Sequence, residues 1–300
     1  MFRSGFISLI GRANVGKSTF LNKVVGKKIA ITSNKPQTTR DRIQGILTTE
    51  DTQYIFVDTP GVHKPHHALD ERMQDISFSS SRGVDLILFM TTPLKEVLKG
   101  DEIILDNLKN VKTPVFLVIN KVDQLKKISN IDETILLYQD LYPFAGIYPI
   151  SVEQNINTAK LLEDIKEYLP KGPLLYPEDI ISDKPERFTV AELIREKVLL
   201  LTKEEVPHSI AVTIESMKDS DENPNYIDIY ATIVCERESQ KKIIIGAGGA
   251  LIKQIKQKAI LDIKHFLNKK VHLDLFVKVK KDWRNRTRDL NALGYGKDNY

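Results

Sequence analysis

Short apolar runs recur along the first 170 residues at intervals too wide for hairpins. FISLI (6–10), YIFVD (54–58), VDLILFM (84–90), PVFLVIN (114–120) and GIYPIS (146–151) each read as a buried strand. Between several of them the apolar positions change to helical spacing, as in KSTFLNKVVG (17–26), GDEIILDNLKN (100–110) and NTAKLLEDIKEYL (157–169). Strand and helix in alternation predict an α/β domain over residues 1–170, a mostly parallel sheet covered by helices on both faces. RIQGILTTE (42–50) predicts an added edge strand.

Four prolines then fall within PKGPLLYPEDIISDKP, which predicts a stiff linker over 171–186. Beyond it the order changes. A helix (VAELIREKVLLLT) precedes two strands of period two (HSIAVTIESM and YIDIYATIVCE), a short helical ESQKKIII and the glycine turn GAGG. A long amphipathic ALIKQIKQKAILDIKHFL and a strand VHLDLFVKV complete a second, α+β domain over 187–284. The tail, 285–300, is basic, then polar and glycine-bearing, and predicts a loose end.

Charge sharpens the division. The chain carries +4 overall, yet Lys241 to Arg288 holds fourteen Lys/Arg against Asp262, Asp274 and Asp282, leaving −7 on the rest. A basic C-terminal half suits a polyanionic partner as well as a solvated helix face. The single cysteine, Cys235, lies in a strand pattern and excludes a disulfide framework, which fits a reducing, cytoplasmic setting. No apolar run approaches the roughly 18 residues of a membrane span, and the N-terminus lacks the pattern of a cleaved leader.

The first strand ends in GRANVGKS, a G-x-x-x-x-G-K-[ST] loop in the strand-to-helix context that this pattern requires. Gly11, Arg12, Ala13, Asn14, Val15 and Gly16 are placed to wrap phosphates with backbone N–H groups. Lys17 would reach the terminal phosphates, Ser18 would offer its hydroxyl to Mg²⁺, and Thr19 follows in the helix. DTPG supplies Asp58, Thr59, Pro60 and Gly61 at the end of another strand. Asp58 would hold magnesium through water, and Gly61 offers a backbone N–H to a γ-phosphate. NKVD selects guanine, because Asp123 can accept from N1–H and the exocyclic amine, which adenine does not present. A polar mismatch of that kind discriminates by roughly 10⁴- to 10⁵-fold. Asn120 and Lys121 would brace the base pocket against the phosphate loop, and Ser151 and Val152 would present backbone to the guanine oxygen.

PQTTRD (36–41) resembles the first switch of translation-factor-type GTPases. That resemblance makes Thr39, ahead of Thr38, the magnesium ligand that depends on a γ-phosphate, in a loop (32–42) ordered by GTP. Lys17, Thr39 and Gly61 would stabilise the transferring phosphoryl group, but no general base stands out. Val62 occupies the position where Ras-type proteins place a glutamine, so intrinsic turnover is expected at or below the order of 10⁻³ s⁻¹. His63, His66 and His67 cluster beside it without a carboxylate or thiolate set and read as a polar switch surface.

GAGG is a weak signal by itself, but strand, short helix, G-x-x-G, long helix and strand form the core order of a KH fold. In such a fold the loop Gly246, Ala247, Gly248, Gly249 would clamp about four nucleotides of a single strand. Lys241, Lys242, Lys253, Lys256 and Lys258 would supply the surrounding positive field.

Together GRANVGKST, KPQTTRDRI, DTPGVHKP, NKVD, IIIGAGG and VKVKKDWR span Gly11 to Arg284 and resemble the bacterial Era family of ribosome-associated GTPases. The resemblance implies a P-loop GTPase domain followed by a type II KH domain, using Mg²⁺ and turning GTP into GDP. It also implies that the KH domain grips the 3′ end of 16S rRNA in the GTP state, during maturation of the small (30S) ribosomal subunit. A monomer, cytoplasmic with a peripheral inner-membrane fraction, completes the implied picture. Three positions depart from the family pattern. Ala13 stands for a usual proline, Val152 for a usual alanine, and Ala247 for a commonly basic residue. Two other readings compete: a phosphotransferase acting on a small substrate, and a GTP-controlled module whose basic domain binds anionic lipid.

Overall fold

The computed structural model describes residues 1–62, 65–125, 129–221 and 223–296, and divides the chain into two compact units. The first comprises Met1–Ala30, Thr39–Pro65 and Asp70–Asp183. Its elements are β1 (Arg3–Gly11), α1 (Lys17–Val25), β2 (Ile43–Thr48), β3 (Thr52–Asp58) and α2 (Ala68–Ser79). After them come β4 (Leu86–Thr91), α3 (Lys99–Leu108), β5 (Val115–Ile119), α4 (Ser129–Gln139), β6 (Gly146–Pro149) and α5 (Thr158–Tyr168). The strands form one sheet in the order β2-β3-β1-β4-β5-β6, parallel throughout except for β2, which pairs antiparallel at the edge. All six residues of β4 and all five of β5 are buried, so both faces of the sheet centre are covered. On one face Ile87, Phe89, Leu117 and Ile119 cluster with Ile104, Leu105 and Leu108 of α3 and with Tyr138 of α4. On the other, Phe116 meets Tyr168 of α5 edge-on at 4.9 Å. The polar ends of the parallel strands, where such sheets bind ligands, thus converge on one rim.

The proline-rich segment is a strap. Ser4 N–H and Gly172 N–H bond to Pro170 and Phe2 carbonyls at 3.1 and 3.2 Å, and Ile46 N–H reaches Ile181 at 2.9 Å. The buried Gln53 side chain accepts from the N–H groups of Leu175 and Tyr176 and donates to Tyr176 carbonyl. Prolines remove donors from a ladder, yet the intervening residues of the predicted stiff linker still fasten 170–183 to β1, β3 and β2.

The second unit comprises Ile31–Thr38, His66–Leu69 and Lys184–Tyr300. It orders α6 (Glu186–Leu201), β7 (Ala211–Asp219), β8 (Tyr226–Cys235), α7 (Glu238–Ile245), α8 (Ala250–Leu267) and β9 (Lys270–Val279). β7 pairs antiparallel and β9 parallel with the central β8. That α-β-β-α-α-β order is the type II KH fold. Its core joins Val190, Leu193, Ile194 and Val198 of α6 to Ile229, Ala231 and Ile233 of β8 and Ile255, Ala259 and Ile263 of α8. Cys235 is wholly buried, and burial pushes its thiol up to about 11, so it is an inert core residue. Residues 285–296 of the tail are packed, and the end that the sequence predicts to be loose, 297–300, lies outside the described residues. Trp283 is fully buried, donates Nε1–H to Ser209 carbonyl at 2.9 Å and stacks on Tyr295 at 5.9 Å. Those two aromatic anchors hold a short helix α9 (Thr287–Leu290) and the turn that follows it. Among the described residues no helix is long and apolar enough to cross a membrane.

Candidate functional site: a phosphate loop, a guanine rim and a KH clamp

The loop after β1 turns into α1 through two left-handed residues, Asn14 (φ 66°) and Gly16 (φ 105°). Gly16 also lies where a Cβ would come within 2.2 Å of Asn120 Nδ2, so the position demands glycine twice over. Lys17 is buried at the start of α1, its Nζ donating to the carbonyls of Gly11 and Arg12 at 2.9 Å each. Burial lowers this ammonium to about 8, with Asp58 opposing the shift. The lysine is thus held by weak neutral acceptors in a position that an anion would stabilise strongly.

Beside it, Ser18 Oγ donates to Asp58 Oδ2 at 2.6 Å and lies 2.9 Å from Thr39 Oγ1. Asp58 is fully buried, burial raises its pKa, and its Oδ1 has no hydrogen-bond partner among the described residues. An orphaned carboxylate oxygen flanked by two hydroxyls is a hard-oxygen set that fits a small divalent cation such as Mg²⁺. Thr38 faces elsewhere: its hydroxyl donates to Lys35 carbonyl at 2.7 Å and sits 2.6 Å from Ser33 Oγ. Between the two threonine candidates, only Thr39 meets Ser18. Thr19 is exposed on α1.

The DTPG segment is fixed by its own bonds. Thr59 Oγ1 donates to Leu9 carbonyl at 2.7 Å, and Pro60 carbonyl accepts from Ser77 of α2 at 2.6 Å. Gly61 passes so close to the phosphate loop that a Cβ would sit 2.6 Å from Ala13 N. Val62 donates its N–H to Gly11 carbonyl at 3.3 Å, while its side chain, 3% exposed, joins the apolar cluster of Ile10, Phe89 and Ile104. Residue 62 is therefore a core position, with no polar group to offer a water. His63 and Lys64 lie outside the described residues.

Asn120 ties the base side of the rim together. Its Nδ2 donates to Val15 carbonyl at 2.9 Å and its Oδ1 accepts Val152 N–H at 3.2 Å. Lys121, left-handed at φ 67°, donates Nζ to Asn14 carbonyl at 2.8 Å. Asp123 stands exposed in the single turn Val122–Gln124. Ser151 is buried, bridges Ile156 through paired backbone bonds, and accepts Gln154 N–H on its Oγ. Arg12, Ala13, Asn14, Thr92, Lys121 and Gln124 line a cavity of about 320 Å³ on this rim.

In the second unit α7 stops at Gly246 (φ 75°, ψ 171°), and Gly248 (φ 57°) and Gly249 (φ 79°) are both left-handed before α8. Nothing lies within 4 Å of a Cβ built at Gly248 or Gly249, so this turn presents bare backbone to open space. Lys242, Lys253 and Lys258 are exposed near it and Lys241 is half-buried. Lys256 is engaged in an ion pair with Asp274 at 3.0 Å, which weakens its claim on a phosphate. Ile243 is half exposed beside the turn.

Both units have counterparts among known proteins. Residues 6–121 match the family model described as 50S ribosome-binding GTPase, and residues 205–284 match the KH domain. The chain is 53% identical to the GTPase Era of Clostridium tetani over 98% of its own length and 99% of the relative's. The chain belongs to the Era family of GTPases. It is 52% identical to the Era of Clostridium kluyveri over 98% of this chain and all of that one. Its fold superposes at TM-score 0.95 and 39% identity, over 99% of this chain and all of the other, on an Era crystallised with MgGDPNP and nucleotides 1506–1542 of 16S ribosomal RNA. An Aquifex aeolicus Era variant bound to GDP·AlF₄⁻ gives a TM-score of 0.92 at 39% identity, covering 98% of this chain and all of that one.

The sequence missed one group at this site, the side chain of Asp101. The signal was a carboxylate on the buried stripe of α3, where Asp101, Ile104, Leu105 and Leu108 share one face.

Proposed function

We propose that this Era-family chain is a GTP-hydrolysing switch whose KH unit binds the 3′ end of 16S rRNA during assembly of the small ribosomal subunit. The backbone from Gly11 to Ser18 cradles the phosphates, and Lys17 exchanges two carbonyl partners for phosphate oxygens. Ser18, Thr39 and, through water, Asp58 would hold Mg²⁺, which neutralises charge on the β- and γ-phosphates. Asp123 accepts from guanine while Asn120 and Lys121 keep the base rim in register with the phosphate loop. With Val62 committed to the core, the chain brings no glutamine to orient water, so hydrolysis is slow and serves as a timer.

The observation that carries the RNA half of this reading is the GAGG turn. Its left-handed backbone is open to solvent and flanked by exposed Lys242 and Lys253. A lipid headgroup needs lysines but no bare backbone, which favours RNA over a membrane surface.

The nucleotide half is tested by phosphate release from GTP, ATP and XTP. The native chain should hydrolyse GTP alone among the three. Asp123→Asn replaces an acceptor by an amide and should transfer the preference to XTP, whose C2 oxygen accepts. Unchanged GTP preference in that variant would remove Asp123 from the guanine site.

A further inference from the structure

The phosphate loop holds two glycines, and its shape before phosphates arrive depends on what it is bonded to. Arg12 lies inside the loop. Its carbonyl accepts Lys17 Nζ, and its backbone bridges Val62 in parallel. Its side chain leaves the loop across Gly100, where a Cβ would come within 2.8 Å of Arg12 Cγ. It ends on Asp101, the second residue after α3 begins, with Nε 2.8 Å from Oδ2, and Nη2 lies 3.4 Å from Thr91 Oγ1. Tyr138 of α4 donates its hydroxyl to the same Asp101 oxygen at 2.7 Å and sits 3.4 Å from Thr91 Oγ1. Asp101 and Tyr138 are both fully buried. Arg12 and Tyr138 counter the burial that raises the Asp101 carboxyl, and burial with the Asp101 charge raises the Tyr138 phenol far out of its usual range.

An ion pair on a fully buried carboxylate is a poor way to gain stability, since apolar side chains of similar volume would hold α3 to the sheet without the desolvation cost. Its value lies in geometry, because a guanidinium between a carboxylate and a hydroxyl permits few positions of its own backbone. We propose that Asp101 and Tyr138 are positioning residues for nucleotide binding, acting through the Arg12 side chain to hold the phosphate loop in its phosphate-ready shape. The inference rests on the reading of Gly11–Ser18 as the nucleotide site. It extends that site to α3 and α4, which contain none of its motifs. A loop ordered in advance spares the nucleotide the cost of ordering it, so losing the anchor should appear as faster release.

The test is stopped-flow release of a fluorescent GDP analogue from the full chain. Asp101→Asn and Arg12→Gln should each speed release by about tenfold, the effect of losing one charge-assisted hydrogen bond. The double variant should be no faster than either single one, because both remove the same anchor. Tyr138→Phe should speed release by about two- to threefold, the lower end for a neutral partner. Gly100→Ala is the discriminating case. It pushes Arg12 aside while leaving Asp101, Tyr138 and every residue of the phosphate loop unchanged, so release should quicken. Release within twofold of native in Asp101→Asn and Gly100→Ala, or effects that multiply in the double variant, would overturn the proposal. Should Asp101→Asn fail to fold, unchanged release from Tyr138→Phe and Gly100→Ala would overturn it equally. A native chain that binds no guanine nucleotide would instead refute the nucleotide-site reading itself.

Discussion

Lys17 makes nucleotide binding by this chain a proton-coupled event at mildly alkaline pH. In the nucleotide-free protein its ammonium is buried against two carbonyls, and burial lowers it from 10.5 to about 8. At pH 8.5 about three-quarters of the lysines are then neutral, against about one-tenth at pH 7. Phosphate oxygens restore the charged form, so binding at pH 8.5 should take up about 0.7 proton per nucleotide. The dissociation constant for GDP should accordingly weaken by about tenfold between pH 7 and pH 9. The sign for folding follows from the same depression. Between about pH 8 and 10.5 the unfolded chain binds the extra proton, so the stability of the nucleotide-free protein rises with pH across that window. The assay is titration calorimetry of GDP at pH 8.5 in buffers of differing ionisation enthalpy. EDTA is included so that no divalent cation adds its own binding heat to that of the nucleotide. A plot of observed enthalpy against buffer ionisation enthalpy should have a slope of magnitude about 0.7, in the direction of uptake. Equal enthalpies in Tris and phosphate would refute the reasoning, since Lys17 would then be charged before the ligand arrives.

Two further perturbations probe the second unit. Trp283→Ala removes a fully buried indole, its bond to Ser209 and its stack on Tyr295. It should cost about 3–5 kcal/mol in denaturant unfolding, and a loss below about 1 kcal/mol would contradict its role as an anchor for residues 285–296. Gly246→Ala adds a Cβ 2.8 Å from Leu251 at φ 75°, whereas Gly248→Ala meets no atom within 4 Å. The first should therefore destabilise by about 1–3 kcal/mol and the second by about 1 kcal/mol, and the reverse order by differential scanning calorimetry would contradict the geometry of the turn.

Much of the site could be read from the chain because its chemistry is local. GRANVGKS, DTPG and NKVD each pack their ligands into a few residues at a strand end, and the strands announce themselves as short apolar runs. The edge strand β2 and the α7–GAGG–α8 order were equally plain, since glycine and period-two patterns act over short range. What escaped depends on partners far apart in sequence. The strap over 170–183 looks like a linker because prolines signal only what the backbone cannot do. Its bonds to Gln53 and Ile46 cross more than a hundred residues and leave no local mark. The tail is polar and basic, yet two aromatic residues twelve positions apart, Trp283 and Tyr295, suffice to fold it down. The switch loop was read as one piece, 32–42, whereas its part up to Thr38 groups with the KH unit, after Ile31 of the apolar core, and its part from Thr39 with the GTPase unit. Thr39 was already placed ahead of Thr38 by resemblance, and the structure adds the physical reason: Thr38 spends its hydroxyl inside the loop while Thr39 meets Ser18.

The central claim, that one chain joins a GTP timer to an RNA clamp, is tested most directly by fluorescence anisotropy. The probe is a short RNA carrying the 3′ end of 16S rRNA, measured with GDP and with a non-hydrolysable GTP analogue. Native protein is compared with Gly248→Asp, which meets no atom within 4 Å, strains the left-handed position by about 1 kcal/mol and sets a carboxylate on the clamp. The account predicts tight, sequence-selective binding with the analogue, weaker binding with GDP, and loss in the variant. Weak binding indifferent to nucleotide and to Gly248→Asp would contradict it and leave a GTPase whose basic unit serves another partner.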